Sequence, residues 1–407
     1  MKRLFRAIRL IASCAGILSS TVALSQPQLK LERVVMLMRH GVRPPTKLQP
    51  IPVEYSPLPW PAWPVGPGLL TPHGAMAVER IATWDRAWLV ENGILPAVGC
   101  PPSGQVTALA SKTPRAYHTA EAWVATALPN CGVVVQHPTE GQPDLLFHIL
   151  ETKPTWFDGH RAYLDAVAQA PKGSIALQML LLAPDMQRMS YALACADPCP
   201  LNTEESTLDE QEHDAPKFKG PFDYASTASE SFLLEYDEGM PMSSVAWGRV
   251  TSGDIGRLLI FNSTKFKYLN RPPYIAKASA GPLARVILTA FNSPTASSLT
   301  ILGGHDTNIA AVGGLIGLHW PAPSTIADDV PPASALGFEL LTDGSHQLVR
   351  VFFRSQTMDQ IRYLTPLKGA RNQPYREYLQ IPGCPRATAE IGCDLRIFTR
   401  IVEGKLR

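Results

Sequence analysis

The sequence RHGVRPPTK (39–47) directly follows the apolar run VVMLM (34–38). A short continuous apolar run of this kind predicts a strand buried on both faces, as in a parallel sheet. At its carboxyl end the chain places two arginines, a histidine and a lysine around one glycine and two prolines. A buried strand end does not require that much positive charge, so we expect this stretch to receive a negatively charged ligand. The prolines are expected to stiffen the loop that presents it.

Beyond this stretch, strand-like and helix-like segments alternate along the chain. Further strands are predicted at 105–111, 132–138 and 298–304, and helices at 71–92, 114–128 and 281–291. Alternation of this kind indicates an α/β sheet. Residues 337–356 are typical of an antiparallel hairpin that turns at Asp343-Gly344, which makes the expected central sheet mixed.

The pattern changes between residues 156 and 274, where helical spacing dominates and no clear strand is seen. The polar stretch NTEESTLDEQEHDAPKFKG (202–220) is expected to be a loop there. We therefore predict a large α/β domain formed by 26–155 and 275–407, with a central mixed sheet flanked by helices. A smaller helical domain is predicted to be inserted at 156–274. A chain of 407 residues is long enough to bury the cores of both.

The N-terminus has the pattern of a secretory signal peptide over residues 1–25. Four basic residues precede or enter a short apolar stretch, and Ala23-Leu24-Ser25 offers a small-x-small cleavage site. The alternative is lipidation at Cys14 in IASC (11–14), although Arg9 leaves the apolar run before it very short. We expect a periplasmic or secreted protein with no stable membrane association.

Export affects how the cysteines are interpreted. Loss of Cys14 with the signal leaves an even number, and an even count in an exported chain favours disulfides. Six cysteines permit 15 pairings, and a zinc site is the alternative. CADPC (195–199) has no second well-spaced pair and no nearby histidine, so disulfides are favoured. The cysteines are Cys100, Cys131, Cys195, Cys199, Cys384 and Cys393.

Composition limits the class of partner. Hydrophobic residues make up 45% of the chain, charged residues 18%, and the formal net charge is +2. Without a basic excess, nothing favours a nucleic-acid partner, and any cationic site must be local. A small anionic molecule is the expected ligand.

Charged residues follow three of the predicted strands. Ligands of open α/β sheets bind at the carboxyl ends of strands, where helix N-termini attract anions. Arginine presents a planar fork that suits phosphate oxygens, and several converging arginines would stabilise a phosphoryl-transfer transition state. The candidate phosphate-binding residues are Arg39, Arg43, Arg115 and His305.

Phosphoryl transfer also needs a nucleophile and a proton donor. His40 lies between two arginines, whose charges disfavour imidazolium and keep the ring neutral and nucleophilic. Attack on phosphorus would give a phosphohistidine that water later cleaves. Asp306 would protonate the leaving oxygen and then act as base for the water. His305 would add a phosphate contact if it is protonated.

The segments RHGVRPPTK and GGHDTN, with GLLTPHG, WGRVTSG and DDVPPAS in order between or after them, resemble the histidine acid phosphatases, branch 2 of the histidine phosphatase superfamily. Among these the chain is most similar to periplasmic bacterial phytases. The resemblance implies His40 as nucleophile, Asp306 as proton donor and the four residues above as the phosphate pocket. It implies that Thr46 and Lys47 line the substrate mouth. It also implies bridges Cys100–Cys131 and Cys384–Cys393, which leaves Cys195–Cys199.

The preferred substrate is left open by the sequence. The resemblance implies a phytase, an inositol hexakisphosphate phosphohydrolase, with no metal or other cofactor, acting as a monomer. A broad-specificity acid phosphatase or a glucose-1-phosphatase is the alternative within the family. Lys265 and Lys267 could meet extra phosphates, or could form a solvated helix face. A non-catalytic phosphate-ester binding protein and a metallophosphatase are the alternatives from other classes.

Overall fold

The computed structural model describes residues 29–385 and 391–407, so the predicted signal peptide and Cys14 lie outside the described residues. The strands are β1 (Lys30–Arg39), β2 (Val106–Ala110), β3 (Val135–Gln136), β4 (Thr207–Asp209), β5 (Lys217–Lys219), β6 (Leu299–Gly304), β7 (Ala335–Thr342), β8 (Gln347–Ser355), β9 (Tyr375–Leu379) and β10 (Cys393–Asp394). The α-helices are α1 (Pro72–Glu91), α2 (Pro114–Ala127), α3 (Gly159–Val167), α4 (Ile175–Leu181), α5 (Ala183–Ala192), α6 (Pro200–Thr203), α7 (Pro221–Asp237), α8 (Ser252–Leu258), α9 (Ile260–Leu269), α10 (Pro273–Asn292), α11 (Asp306–Ile316), α12 (Met358–Arg362) and α13 (Leu395–Leu406).

The central sheet is mixed, as predicted, with the order β10-β8-β7-β1-β6-β2-β3 and with β9 also paired to β8. Strand β1 runs parallel to β6 and antiparallel to β7. Strand β6 lies between β1 and β2 and is parallel to both. The hairpin predicted at 337–356 is confirmed as β7 and β8, whereas the strand predicted at 132–138 is reduced to the two residues of β3.

Helices cover both faces of the sheet, which explains the continuous apolar run in β1. Val35 and Leu37 belong to the core under α10, α11 and α13. Val34, Met36 and Met38 belong to the core on the other face, under α1 and α2. Successive side chains of a strand point to opposite faces, so a strand covered on both sides needs apolar residues throughout. The prediction of a strand buried on both faces is confirmed.

A third hydrophobic core lies among the helices that follow β3 and precede β6 in the chain. Buried Phe222, Phe232 and Phe261 from α7 and α9 form its centre. Ile51 and Tyr55, from the proline-rich segment after β1, also pack into this core. The boundaries at 156 and 274 stay a prediction.

The expectation that the 156–274 segment contains no strand is wrong. Strands β4 and β5 form a small antiparallel pair within the stretch predicted to be a loop. Each is three residues long and has a single buried apolar residue, Leu208 or Phe218, between polar neighbours. One apolar residue per strand gives no alternation for a pattern search to find.

The six described cysteines form three disulfides: Cys100–Cys131, Cys195–Cys199 and Cys384–Cys393. The bridges therefore pair as the resemblance implies. Over the two described ranges, no helix combines the length and the apolar character needed to cross a bilayer.

Candidate active site

The register of the sheet brings the three predicted strand ends together. Arg39, the last residue of β1, pairs with Gly304, the last residue of β6. On the other side of β6, Ala110 at the end of β2 pairs with Gly303. His40 follows β1, His305 follows β6, and helix α2 begins four residues after β2. The residues predicted from separate parts of the chain therefore lie at one edge of the sheet.

His40 is held in a defined orientation at this edge. Its ring is almost fully buried, and Nδ1 donates a hydrogen bond to the carbonyl of Gly41 at 2.8 Å. A proton on Nδ1 leaves Nε2 with a free lone pair. Burial, and then the charges of Arg43, Arg39 and Arg115, hold the pKa of His40 well below its usual range. His40 is therefore a neutral imidazole with an available nitrogen.

Arg39 and Arg43 bring guanidinium groups to the same place, and both face Glu230 of α7. Arg39 is fully buried and forms an ion pair with Glu230, and its Nη2 lies 3.3 Å from Oδ2 of Asp306. The Nη2 of Arg43 lies 3.8 Å from Oε1 of Glu230. Burial alone would lower the pKa of Arg39, but the charges of Glu230, Asp306 and Asp329 raise it overall.

Arg115 approaches from the first turn of α2. Pro114 opens this helix, whose N-terminus follows the end of β2 and so lies at the same edge of the sheet, where an anion is favoured. Burial, together with the charge of Arg43, lowers the pKa of Arg115 to about 10. The mutual repulsion of three guanidinium groups is the electrostatic sign of a site built to receive an anion.

His305 and Asp306 are fixed by the start of α11. The amide of His305 donates to Oδ1 of Asn308 at 2.9 Å, and Nδ2 of Asn308 donates to the carbonyl of Phe147 at 2.8 Å. The rings of His305 and His40 are 5.4 Å apart between centroids. Oδ1 of Asp306 accepts the amide of Thr307 at 2.7 Å. Its other oxygen, Oδ2, is the one that faces Arg39.

The phosphate contact expected of His305 stays a prediction, and the surroundings of the ring bear on its protonation state in the free protein. Burial, and then the charge of Arg115, holds the pKa of His305 well below its usual range. Its Nε2 lies 3.1 Å from Oγ1 of Thr113 and 3.3 Å from Oγ of Ser111. Hydroxyl protons donated to Nε2 place the ring proton on Nδ1. A neutral His305 would then donate through Nδ1–H.

Close backbone contact fixes the loop that carries these groups. A Cβ on Gly74, in the first turn of α1, would lie 2.5 Å from the carbonyl oxygen of Val42. The amide of Gly41 donates to Oγ1 of Thr119 at 2.9 Å, which joins the loop to α2 as well. The loop after β1 is therefore held between two helix N-terminal regions.

Two adjoining cavities form a cleft over this edge. The inner cavity, of about 390 Å³, is lined by His40, Arg43, Arg115, His305 and Asp306. The outer cavity, of about 570 Å³, shares Arg43 and Asp306 with it and is also lined by Thr46 and Lys47. Both predicted mouth residues thus lie on the outer part of the cleft.

The two lysines considered in α9 lie in different surroundings. Lys265 lines the outer cavity, where its Nζ lies 2.6 Å from Oδ1 of Asp223. Lys267 is not among the lining residues of either cavity, and its Nζ lies 5.4 Å from the ring centroid of Tyr268. Lys217 of β5 also lines the outer cavity and is 3.0 Å from Asp214. No described carboxylate lies within 4.0 Å of Lys47.

Sequence reasoning missed two residues of the site. Glu230 lies in the middle of α7, and no motif marks it; only a folded arrangement shows that it faces Arg39 and Arg43. The ring of His148 lies 4.6 Å from that of His305 between centroids, and its Nδ1 is 3.0 Å from Oε1 of Glu151. Within the described ranges, no group of three or more His, Cys, Asp or Glu side chains is arranged to hold a metal ion.

The chain is similar to known proteins both in sequence and in fold. Residues 30–159 match the model of the histidine phosphatase superfamily, branch 2. The chain is 34% identical to phytase AppA of Escherichia coli (strain K12), over 94% of each chain. It is 28% identical to a glucose-1-phosphatase of Salmonella typhimurium, over 95% of this chain and 96% of the other. The solved structure of Hafnia alvei phytase in complex with myo-inositol hexakis sulphate matches 94% of this chain and 98% of that one, with a TM-score of 0.85 and 30% identity.

Proposed function

The chain belongs to the histidine phosphatase superfamily, branch 2, and we propose that it cleaves phosphomonoesters with His40 as the nucleophile and Asp306 as the proton donor. The family and the relatives make it a phosphomonoester hydrolase of the phytase type. The observation that carries the proposal is the state of His40. It is neutral, fixed through Nδ1, and surrounded by three guanidinium groups.

In the first step, Nε2 of His40 attacks the phosphorus of the substrate, and the bond from phosphorus to the ester oxygen breaks. The leaving oxygen takes a proton from Asp306, which lines the same cavity as His40. The product of this step is an alcohol and a phosphohistidine. Nucleophilic catalysis divides one difficult displacement into two easier ones.

In the second step, the Asp306 carboxylate accepts a proton from a water molecule as that water attacks the phosphorus. The bond to Nε2 breaks, inorganic phosphate forms, and His40 returns to its neutral state. The proton that Asp306 gave in the first step is restored, so the cycle closes without another reactant.

The phosphoryl oxygens are proposed to bind Arg39, Arg43, Arg115 and His305. In the free protein Glu230 faces the first two of these arginines. An incoming phosphate dianion would therefore take the place of the singly charged Glu230 carboxylate beside these arginines. Its oxygens could accept hydrogen bonds from more guanidinium N–H groups than the carboxylate does. Preorganised cations at the place where charge develops are the main source of acceleration in reactions of this type.

We propose inositol hexakisphosphate as the preferred substrate. The outer cavity, of about 570 Å³, leaves room beyond the reacting phosphate for a ring with further phosphates. Lys47 and Thr46 line that space, and the similarity to a phytase bound to a hexasulphate supports the same use here.

A second candidate, a glucose-1-phosphatase or broad-specificity acid phosphatase, is favoured by one observation. The lysines on the far wall of the outer cavity are already paired, Lys265 with Asp223 and Lys217 with Asp214. A wall of paired charges attracts a polyphosphate less than free lysines would. Side-by-side kinetics on phytate, glucose 1-phosphate and p-nitrophenyl phosphate distinguish the candidates, since only a phytase has its highest kcat/KM on the first.

Turnover itself separates an enzyme from a binding protein. We expect hydrolysis of p-nitrophenyl phosphate to persist in excess EDTA, and a phosphoenzyme to be trapped by acid quench within the first turnover. Sensitivity to the chelator would favour a metallophosphatase, and tight phosphate binding without turnover would favour a binding protein. Export to the periplasm and a monomeric state are further parts of the proposal.

A further inference from the structure

Two buried carboxyls that line neither cavity of the cleft are subject to the charge of Arg39. Asp237, the last residue of α7, and Asp329, in the segment before β7, are both fully buried. Neither is among the lining residues of the inner or the outer cavity. The proposed chemistry uses neither of them.

The position of Asp237 is set by two elements. It follows Glu230 by seven residues on α7, so the two side chains lie on the same face of the helix about two turns apart, and Glu230 forms an ion pair with Arg39. Arg362 of α12 donates to the carbonyls of Tyr236 at 2.7 Å and Met240 at 2.6 Å, which fixes the turn on either side of Asp237. Neither carboxyl oxygen of Asp237 has a hydrogen-bond partner among the described residues.

The position of Asp329 is linked to Arg39 through the backbone. Arg39 donates through Nη1 to the carbonyl of Val330, the next residue. The carbonyl of Asp329 accepts from Nε1 of Trp320 at 2.7 Å. The segment whose Val330 carbonyl accepts from the Arg39 guanidinium group thus also carries the Asp329 carboxyl.

The charges around this pair come from several elements. Arg39 and Arg362 favour the ionised form of Asp237, whereas Glu230 and Asp329 disfavour it. Burial is the largest effect, and it raises the pKa of Asp237 well above its usual range. Burial likewise raises the pKa of Asp329 to about 7, against the charge of Arg39. Other titratable groups near the pair, among the described residues, include His73 of α1, which contacts the end of α7 and α12, and Asp306 and Arg43 in the cleft. Each carboxyl also has an acidic neighbour in the chain: Glu238, which accepts from Thr71, follows Asp237, and Asp328, which pairs with His319, precedes Asp329.

We propose that Asp237 and Asp329 are positioning residues that act on the substrate phosphate through Arg39, by holding protons that are lost as the pH rises. The inference rests on the proposed function of the His40 site. When both carboxyls are neutral, Arg39 faces only Glu230 and Asp306 and is available to the phosphate. When they ionise, their negative charges add to those of Glu230 and Asp306 near Arg39, and a dianionic substrate is bound less well. The pair therefore restricts phosphate binding to acidic and neutral pH.

The pH profile of kcat/KM for p-nitrophenyl phosphate tests the inference, with Asp237→Asn, Asp329→Asn and the double variant. Asparagine keeps the shape but cannot ionise. We expect the alkaline limb to move to higher pH by about one unit in the double variant, which corresponds to about a tenfold gain on that limb. Smaller shifts in the same direction are expected in the single variants. An alkaline limb that stays in place in all folded variants overturns the inference while leaving the proposed function intact.

Glu235→Gln provides a matched control. Glu235 is also fully buried on α7, and burial raises its pKa to about 8, but its Oε2 accepts the Ala246 amide at 3.0 Å and no effect of Arg39 acts on it. Its profile should match that of the wild type. If the control moves the limb as much as the double variant, a general effect of buried charge is responsible and the inference fails.

Sulfate binding by calorimetry gives a readout that does not depend on turnover. Sulfate is a dianion that does not titrate near neutral pH, so proton uptake on binding reports protein groups. At pH 7 the wild type should take up more protons per sulfate than the double variant, and should bind sulfate more weakly. Equal proton uptake in both overturns the inference, even if the proposed hydrolase activity itself is absent. If the double variant does not fold, the same comparison is made with each single variant.

Discussion

The inner and outer parts of the cleft differ in how their charged groups are held. In the inner part, Arg39 and His40 are buried at the end of a central strand, and backbone or side-chain groups fix each of them. In the outer part, Lys47 is exposed on a loop, and Lys265 is half-buried and paired with Asp223. We expect the rigid, desolvated inner part to bind the phosphoryl group of any phosphomonoester, and the solvated outer part to distinguish substrates by small differences in binding free energy. Substitutions in the two parts should therefore differ both in size and in dependence on substrate.

The largest effect is expected for His40→Ala, because this substitution removes the proposed nucleophile. We expect kcat to fall by about 10⁴-fold or more for phytate and for p-nitrophenyl phosphate alike. Steady-state rates on both substrates measure this. His118→Ala is the control, since His118 is an exposed residue of α2 that pairs with nearby Glu121 and lines neither cavity. Substantial activity in His40→Ala would remove the nucleophile from the proposal.

Asp306→Asn should have the next largest effect, and one that depends on the leaving group. An alkyl phosphate needs a proton on the leaving oxygen, so we expect a loss of about 10²- to 10³-fold. Nitrophenolate leaves with little protonation, so p-nitrophenyl phosphate should lose much less. The ratio of the two losses is the measurement. Equal losses would mean that Asp306 only shapes the phosphate pocket.

The pH dependence of the inner part should be the same for large and small substrates. The neutral form of His40 is the proposed nucleophile, and the pKa of His40 is lowered by burial and by the neighbouring arginines. Activity should therefore be retained below pH 6.5, the ordinary value for histidine, and fall about tenfold per pH unit only below the lowered pKa. Profiles of kcat/KM on phytate and p-nitrophenyl phosphate give the acid limb. An acid limb near pH 6.5 would contradict the electrostatic account of His40.

The smallest effect is expected for Lys47→Ala in the outer part. An exposed charge pair contributes about 0.2–1 kcal/mol, so KM for phytate should rise about two- to fivefold. KM for p-nitrophenyl phosphate, which has no second phosphate, should stay the same. Lys267→Ala is the matched control, because Lys267 lies on α9 without lining the cleft. Equal changes in KM for both substrates would mean that Lys47 acts on the reacting phosphate and not on the further phosphates of phytate.

Much of the inner part was predictable because its signals are local. An apolar run followed by RHG, a Pro at a helix start before Arg115 and an apolar run followed by HD each identify a strand or helix end within a few residues. The outer part and the groups behind Arg39 were not predictable in this way. Glu230 and Asp237 lie in a stretch without any motif, and Asp329 lies within DDVPPAS (328–334), where nothing in the sequence marks it as a neighbour of Arg39. Only the fold brings α7 and the segment before β7 to the end of β1. Likewise, Lys265 and Lys267 differ by two positions on one helix, and only tertiary structure tells which one faces the cleft.

The position of β6 between β1 and β2 has a consequence for the order of synthesis and folding. β1 and β2 are made early, yet neither pairs with the other; the strand that joins them spans Leu299–Gly304. An N-terminal fragment ending before Leu299 therefore leaves both edges of β1 and one edge of β2 unpaired, and it lacks both His305 and Asp306. Pairings between such distant segments close late and slowly. A nascent chain that carries the complete RHGVRPPTK segment is thus without activity until the last third of the chain has arrived, and it needs protection from aggregation until then.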